Sequence, residues 1–146
     1  MDVGKIGKVA AIAKTTEQKS AKALQQSQQS FQQKQDQLDQ LKNFKQEYED
    51  KLGVMGQEGI AARQLQDYRL FLSKLNFAIG QQAEEVQASE KNLEGMRNQW
   101  ISESRRKTAL DHLVDEHNKK DIQTQESTEQ KESDAASMTR MTTKSP

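Results

Sequence analysis

Gly53-Val54-Met55-Gly56-Gln57-Glu58-Gly59 is the concentrated backbone break in a chain of 146 residues. Long segments with apolar residues at heptad spacing run on either side of it, so it reads as the turn of a helical hairpin. Glycine adopts the positive φ angles that end a helix and reverse a chain, and neither flank supplies a comparable break for dozens of residues.

Outward from this turn toward the N-terminus, one heptad frame carries the first arm. Position a falls on Val3, Ala10, Glu17, Leu24, Phe31, Leu38, Lys45 and Leu52, and position d on Ile6, Ala13, Ser20, Ser27, Lys34, Leu41, Tyr48 and Met55. This seam is strong from Leu38 to Met55 and weak from Glu17 to Lys34, where small or polar residues hold most d sites. The glutamine-rich run from Leu24 to Gln40 keeps Leu24, Phe31 and Leu38 at a seven-residue step, which a low-complexity tract has no reason to do.

In the other direction the frame is cleaner. The a positions are Leu65, Leu72, Ile79, Val86, Leu93, Trp100, Lys107 and Val114, and the d positions Tyr68, Leu75, Gln82, Ser89, Met96, Glu103, Leu110 and His117. Every a site up to Trp100 is apolar. The i, i+4 pairs Glu103–Lys107, Asp115–Lys119 and Glu116–Lys120 are expected to support the far half, each by only a few tenths of a kcal/mol. After Lys120 the pattern stops, and a stretch rich in Ser, Thr, Gln and Glu lacks the apolar area that offsets ordering entropy. The expected organisation is therefore an all-α, antiparallel two-helix coiled-coil hairpin over 1–120, with arm one about 3–52, the turn at 53–59 and arm two about 60–120, followed by a frayed helix end and disordered tail over 121–146. The turn admits two registers, one centred near Gly56 and one a heptad step later, because both align a with d.

Composition agrees with this plan and narrows the function. Only 32% of the residues are hydrophobic and 30% are charged, against an ordinary apolar share of about 45–50%, so the chain cannot fill a deep globular core. Lysine and arginine together number 22, as do aspartate and glutamate, so no net charge selects nucleic acid. The absence of cysteine excludes disulfides and thiolate metal or redox sites. The apolar run Val9-Ala10-Ala11-Ile12-Ala13 is too short for a signal core or a membrane span, and a cytosolic protein is the simplest fit.

Little in the chain carries chemistry. His112 and His117 stand five residues apart, about 500° of helical rotation, and so do not share one metal ion. The three turn glycines lack the preceding strand and the following Gly-Lys-Ser/Thr of a phosphate cradle. No catalytic arrangement has meaningful spacing, and the expectation is a protein with no enzymatic activity, no cofactor, no metal and no small-molecule substrate.

Surface residues say more. Phe44, Phe71 and Ala78 occupy g positions, and Leu70 and Phe77 occupy f. In an antiparallel pair the g edges lie side by side, so Phe44 from one arm and Phe71 and Ala78 from the other form an apolar stripe suited to docking. Basic residues, among them Lys5, Lys8, Lys14, Arg105, Arg106 and Lys107, gather toward the two termini and mark either an acidic partner or a solvated helix face.

These residues also carry a family resemblance. The segment Leu41 to Gln82, with LKNFKQEYEDKL, the Gly59-Ile60 exit from the turn and QDYRLFLSKLNFAIGQQ, followed by Trp100, resembles the FliJ family of flagellar export proteins. That resemblance implies a non-enzymatic coupling factor of the bacterial flagellar type III export apparatus, cytoplasmic and peripherally associated with the inner membrane at the flagellar base, and monomeric when free. The end carrying both termini would enter the hexameric export ATPase, with Lys5, Lys8, Lys14, Arg105, Arg106 and Lys107 as the candidate contacts. The turn-proximal surface would engage the cytoplasmic region of the export-gate membrane protein through Gln37, Leu41, Phe44, Tyr48, Phe71, Leu75, Ala78 and Gln82, and export chaperones would also bind. Phe44 and Gln82 stand where relatives have tyrosine and histidine, so an aromatic anchor is kept while a hydroxyl and a titratable ring are lost. Two other classes fit the residues alone: a rod or tether that self-associates through the heptads, and a membrane-surface binder using the basic amphipathic stretch Lys5 to Lys14.

Overall fold

The computed structural model describes residues 3–143, as two helices: α1, Val3–Glu58, and α2, Ala62–Thr143. The antiparallel hairpin expected from the heptads is the fold. Where α1 runs forward, its partners in α2 run backward: Ser27 meets Asn92, Lys34 meets Gln82 and Tyr48 meets Tyr68. No strand occurs among the described residues.

The reversal is tighter than the glycine spacing implied. Helix α1 does not stop at Leu52 but continues through Gly53 and Gly56 to Glu58, leaving Gly59, Ile60 and Ala61 as the loop. Gly59, at φ +91°, is the one residue with positive φ among those described, and it ends α1 by leaving the right-handed region. Leu65 then donates its N–H to the Ala61 carbonyl at 3.0 Å, which opens α2. An isolated glycine costs a helix interior about 1 kcal/mol relative to alanine, an amount the rest of a 56-residue helix absorbs. Of the two registers open to the sequence, the cross-helix pairs select the later one, which folds about this loop.

The a and d frame predicts burial closely. Along both helices its members with described side chains are buried or half-buried, with Met55 the exception at 37% exposed. The described residues divide into two compact units, each containing part of both helices: Lys19–Ile101, and the residues up to Gln18 with those from Ser102 onward. The central unit buries Leu38, Leu75, Val86 and Leu93 together with three serines, Ser20, Ser27 and Ser89. The serines keep the weak middle of the seam closed because their hydroxyls are satisfied: Ser27 accepts from Asn92 Nδ2 at 3.1 Å, and Ser89 donates to the Val86 carbonyl at 2.9 Å. Phe31, expected on the seam, lines an open groove with Glu90, Leu93, Glu94 and Arg97.

The terminal unit is thinner. Helix α1 contributes Ile6, Ala10 and Ala13, all buried; α2 contributes half-buried Glu103, Lys107, Leu110, Val114 and His117. The expected i, i+4 pairs do not form. Lys107 turns to Asp111 at 3.9 Å and Glu116 to His112 at 3.2 Å, while Glu103, at its d site, has one carboxylate oxygen buried without a partner.

Beyond His117 every described side chain is exposed, so the seam ends where the heptads end. The backbone nonetheless stays helical to Thr143. Local bonds support it: Thr124, Thr128 and Thr139 donate to the carbonyls of Lys120, Thr124 and Ala135, and Gln130 donates to Asp134. Of the frayed end and tail expected over 121–146, residues up to Thr143 are helical and 144–146 lie outside the described residues.

Candidate docking edge and terminal basic cluster

The g edge of the central unit is built from two short helical patterns. On α1, Phe44 and Tyr48 are one turn apart; on α2, Gln64, Tyr68 and Phe71 follow at steps of four and three, which places them on one face. The antiparallel register brings the two patterns together as a cluster of four rings. Tyr48 is 4.5 Å from Phe71 and 5.3 Å from Tyr68 between ring centroids. Phe44 lies 6.1 Å from Phe71, edge to face, and 6.4 Å from Tyr48, within the range where aromatic pairs attract.

Exposure separates these rings from the core. Phe44 is 47% exposed and Phe71 38%, whereas Leu75 is 7% exposed and belongs to the core. Leu41, Tyr48, Ala78 and Gln82 are half-buried, and Gln37 is exposed. The edge therefore presents two phenylalanines over a support of Leu41, Tyr48 and Leu75. At its other end Gln82 donates one amide to the Lys34 backbone carbonyl at 2.9 Å and to Gln37 Oε1 at 3.3 Å, so this side chain ties the helices together. Leu70 and Phe77, the latter 68% exposed, stand on the outer f positions, apart from the ring cluster.

Three residues of this edge lay outside the sequence-based candidates: Gln64, Asp67 and Tyr68. With Tyr48 they line a small concavity of about 250 Å³. Tyr68 was assigned to the seam alone, although its three-residue spacing from Phe71 already placed the two rings on one side of α2. Packing pushes the Tyr48 hydroxyl above the usual tyrosine range by withdrawing it from water, and the charges of Tyr68 and Asp67 add to the effect.

The six terminal basic residues fall in one unit. Lys5, Lys8, Lys14, Arg105 and Arg106 are exposed, and Lys107 is half-buried at its a site and paired with Asp111. His112 is exposed against Glu116, while His117 is half-buried with Nδ1 unpartnered. The two imidazoles do not converge on one site, and no group of three or more potential metal ligands occurs among the described residues.

A family model described as the flagellar FliJ protein matches residues 2–145. The chain belongs to the FliJ family. The match covers both helices and the stretch beyond the seam, so it extends well past the central third that carried the resemblance in the sequence. Membership makes the chain a component of the flagellar export apparatus. No curated protein and no solved structure matches this FliJ-family chain. No helix among the described residues is long and apolar enough to cross a membrane.

Proposed function

We propose that this chain is a non-catalytic coupling factor that links the export ATPase to the export gate and receives export chaperones. The observation that carries the reading is the half-exposed pair Phe44 and Phe71, held by Tyr48 on an edge the hairpin leaves uncovered. Rigid aromatic anchors of this kind supply most of the energy of protein interfaces. The export-gate protein's cytoplasmic region docks there, with Leu41, Leu75 and Ala78 as support and Gln37 and Gln82 at the rim. The hexameric ATPase takes the terminal unit, where Lys5, Lys8, Lys14, Arg105 and Arg106 offer solvated charge. The chain works as a monomer on the cytoplasmic face of the inner membrane.

Paired binding measurements on two variants test this. Phe44→Ala with Phe71→Ala should weaken binding to the gate region by at least about tenfold, as loss of two anchors does, and leave ATPase binding intact. Charge reversal at Lys5, Lys8 and Lys14 should give the converse. Normal gate affinity in a folded phenylalanine variant would remove the docking assignment and leave a self-associating rod as the better reading.

A further inference from the structure

We infer that the notch between Tyr48 and Tyr68, bounded by Asp67 and Gln64, receives a lysine or arginine side chain from the protein segment that docks on this edge. The identity of that segment rests on the gate-docking reading above; the chemistry of the notch does not.

Size comes first. A concavity of about 250 Å³ lies below the roughly 300–1,000 Å³ of sites for drug-sized ligands and suits the head of one long side chain. Its walls are two tyrosine rings with centroids 5.3 Å apart and planes tilted by 55°, so they are not stacked flat against each other. The face of a tyrosine ring is negative and attracts an ammonium or guanidinium group within about 6 Å of its centroid.

Charge selects among the side chains that would fit. Asp67 is exposed and makes neither a hydrogen bond nor an ion pair among the described residues. Lys51, a cation of this chain on the same g edge, is likewise unpaired and leaves the carboxylate open. Asp67 lines the same concavity as the two tyrosine rings, which sets its carboxylate beside the ring walls. An apolar side chain in the notch would strip water from Asp67 without replacing it, at a cost in free energy. An anionic one would meet like charge. A cation satisfies the carboxylate while lying against the tyrosine walls, and the Gln64 amide oxygen can accept one of its N–H groups.

Continuity with the phenylalanines extends the recognition pattern. Tyr48 is shared: one of its neighbours is Tyr68 in the notch and another is Phe71 on the open edge, 4.5 Å away. The docking segment should therefore present an apolar residue over Phe71 and Phe44 with a basic residue beside it.

The test uses the full chain with ¹³C-labelled tyrosine rings. There are two tyrosines, and Tyr68→Phe assigns their signals. The probes are the peptide Ac-Leu-Arg-Leu-NH2 and its citrulline counterpart, which keeps the shape and removes the charge. The arginine peptide should shift both tyrosine signals saturably. Citrulline in the peptide, or Asp67→Asn in the protein, should weaken binding by roughly fivefold or more, as expected when a charge-assisted contact becomes neutral. Equal affinity for the two peptides, an unchanged affinity in Asp67→Asn, or no saturable shift would overturn the inference. Against the gate region, Asp67→Lys should cut affinity about tenfold through like-charge repulsion. If Asp67→Lys binds the gate normally while the phenylalanine double variant does not, gate docking stands and the cation notch fails.

Discussion

Three single substitutions, Gly53→Ala, Gly56→Ala and Gly59→Ala, distinguish a loop confined to 59–61 from one spread over 53–59. A Cβ at any of these positions meets nothing within 4 Å, so sterics with neighbouring groups are the same for all three. What differs is the backbone. Gly53 and Gly56 lie inside α1, where alanine gains about 0.5–1 kcal/mol through helix propensity and a less flexible unfolded chain. Gly59 sits at φ +91°, where an L side chain costs roughly 1–2 kcal/mol, partly offset by the same unfolded-state gain. The signs are therefore opposite, and Gly53→Ala and Gly59→Ala should differ by about 1–2 kcal/mol. With a urea m value of about 2 kcal/mol per molar, the midpoints should separate by roughly 0.5–1 M at unchanged m. Urea melts followed by circular dichroism read this directly. Destabilisation at Gly53 or Gly56 comparable to that at Gly59 would refute the argument, because it would place a positive φ before Glu58 and the end of α1 nearer Leu52.

Other expectations are simpler. Truncation after Lys120 removes no seam contact, since every described side chain beyond His117 is exposed, and should change unfolding free energy by less than about 0.5 kcal/mol; calorimetry of the two lengths decides. Leu93→Ala, at a buried seam site, should cost on the order of 2–3 kcal/mol, whereas Phe44→Ala, at a half-exposed edge, should cost about 1 kcal/mol. Chemical denaturation of both variants compares them. Because Tyr48 titrates above the ordinary tyrosine value of 10.0 in the folded state, the fold holds its proton more tightly than the unfolded chain does. Stability from this group is full below about pH 10 and falls as pH rises through the Tyr48 value. Ultraviolet titration of Tyr68→Phe, folded and in urea, should show the folded midpoint higher, and Tyr48→Phe should flatten the alkaline loss.

Much of this architecture was legible because a seam writes itself into the chain at a fixed step. Leu38, Leu75, Val86 and Leu93 occupy a and d sites and are buried, and Ser20, Ser27 and Ser89 are buried because the frame puts them there, not because serine prefers it. The g-edge reasoning likewise brought Phe44 and Phe71 to one side of the hairpin. The loop was less legible, since glycine content marks where a chain may turn and only the backbone angle shows where it does. The cross-helix bond of Gln82 was not legible for a related reason: its type suits a rim contact, and that its amide also reaches the Lys34 carbonyl on the other helix depends on register. Tyr68 was legible only through its three-residue spacing from Phe71, and Asp67, a lone acid, carries no distinguishing pattern until Tyr48 is set against it.

The shortness of the loop has a mechanical consequence. Only Gly59, Ile60 and Ala61 join the two helices, so there is no slack to let one slide along the other. A slip of one heptad would displace the helices by about 10 Å at 1.5 Å per residue, far more than three residues can absorb without unwinding a helix end. In the central unit it would also pull Gln82 and Asn92 from their partners across the seam. Within the central unit, a pull along one helix near the loop is therefore met by its partner instead of being taken up by sliding.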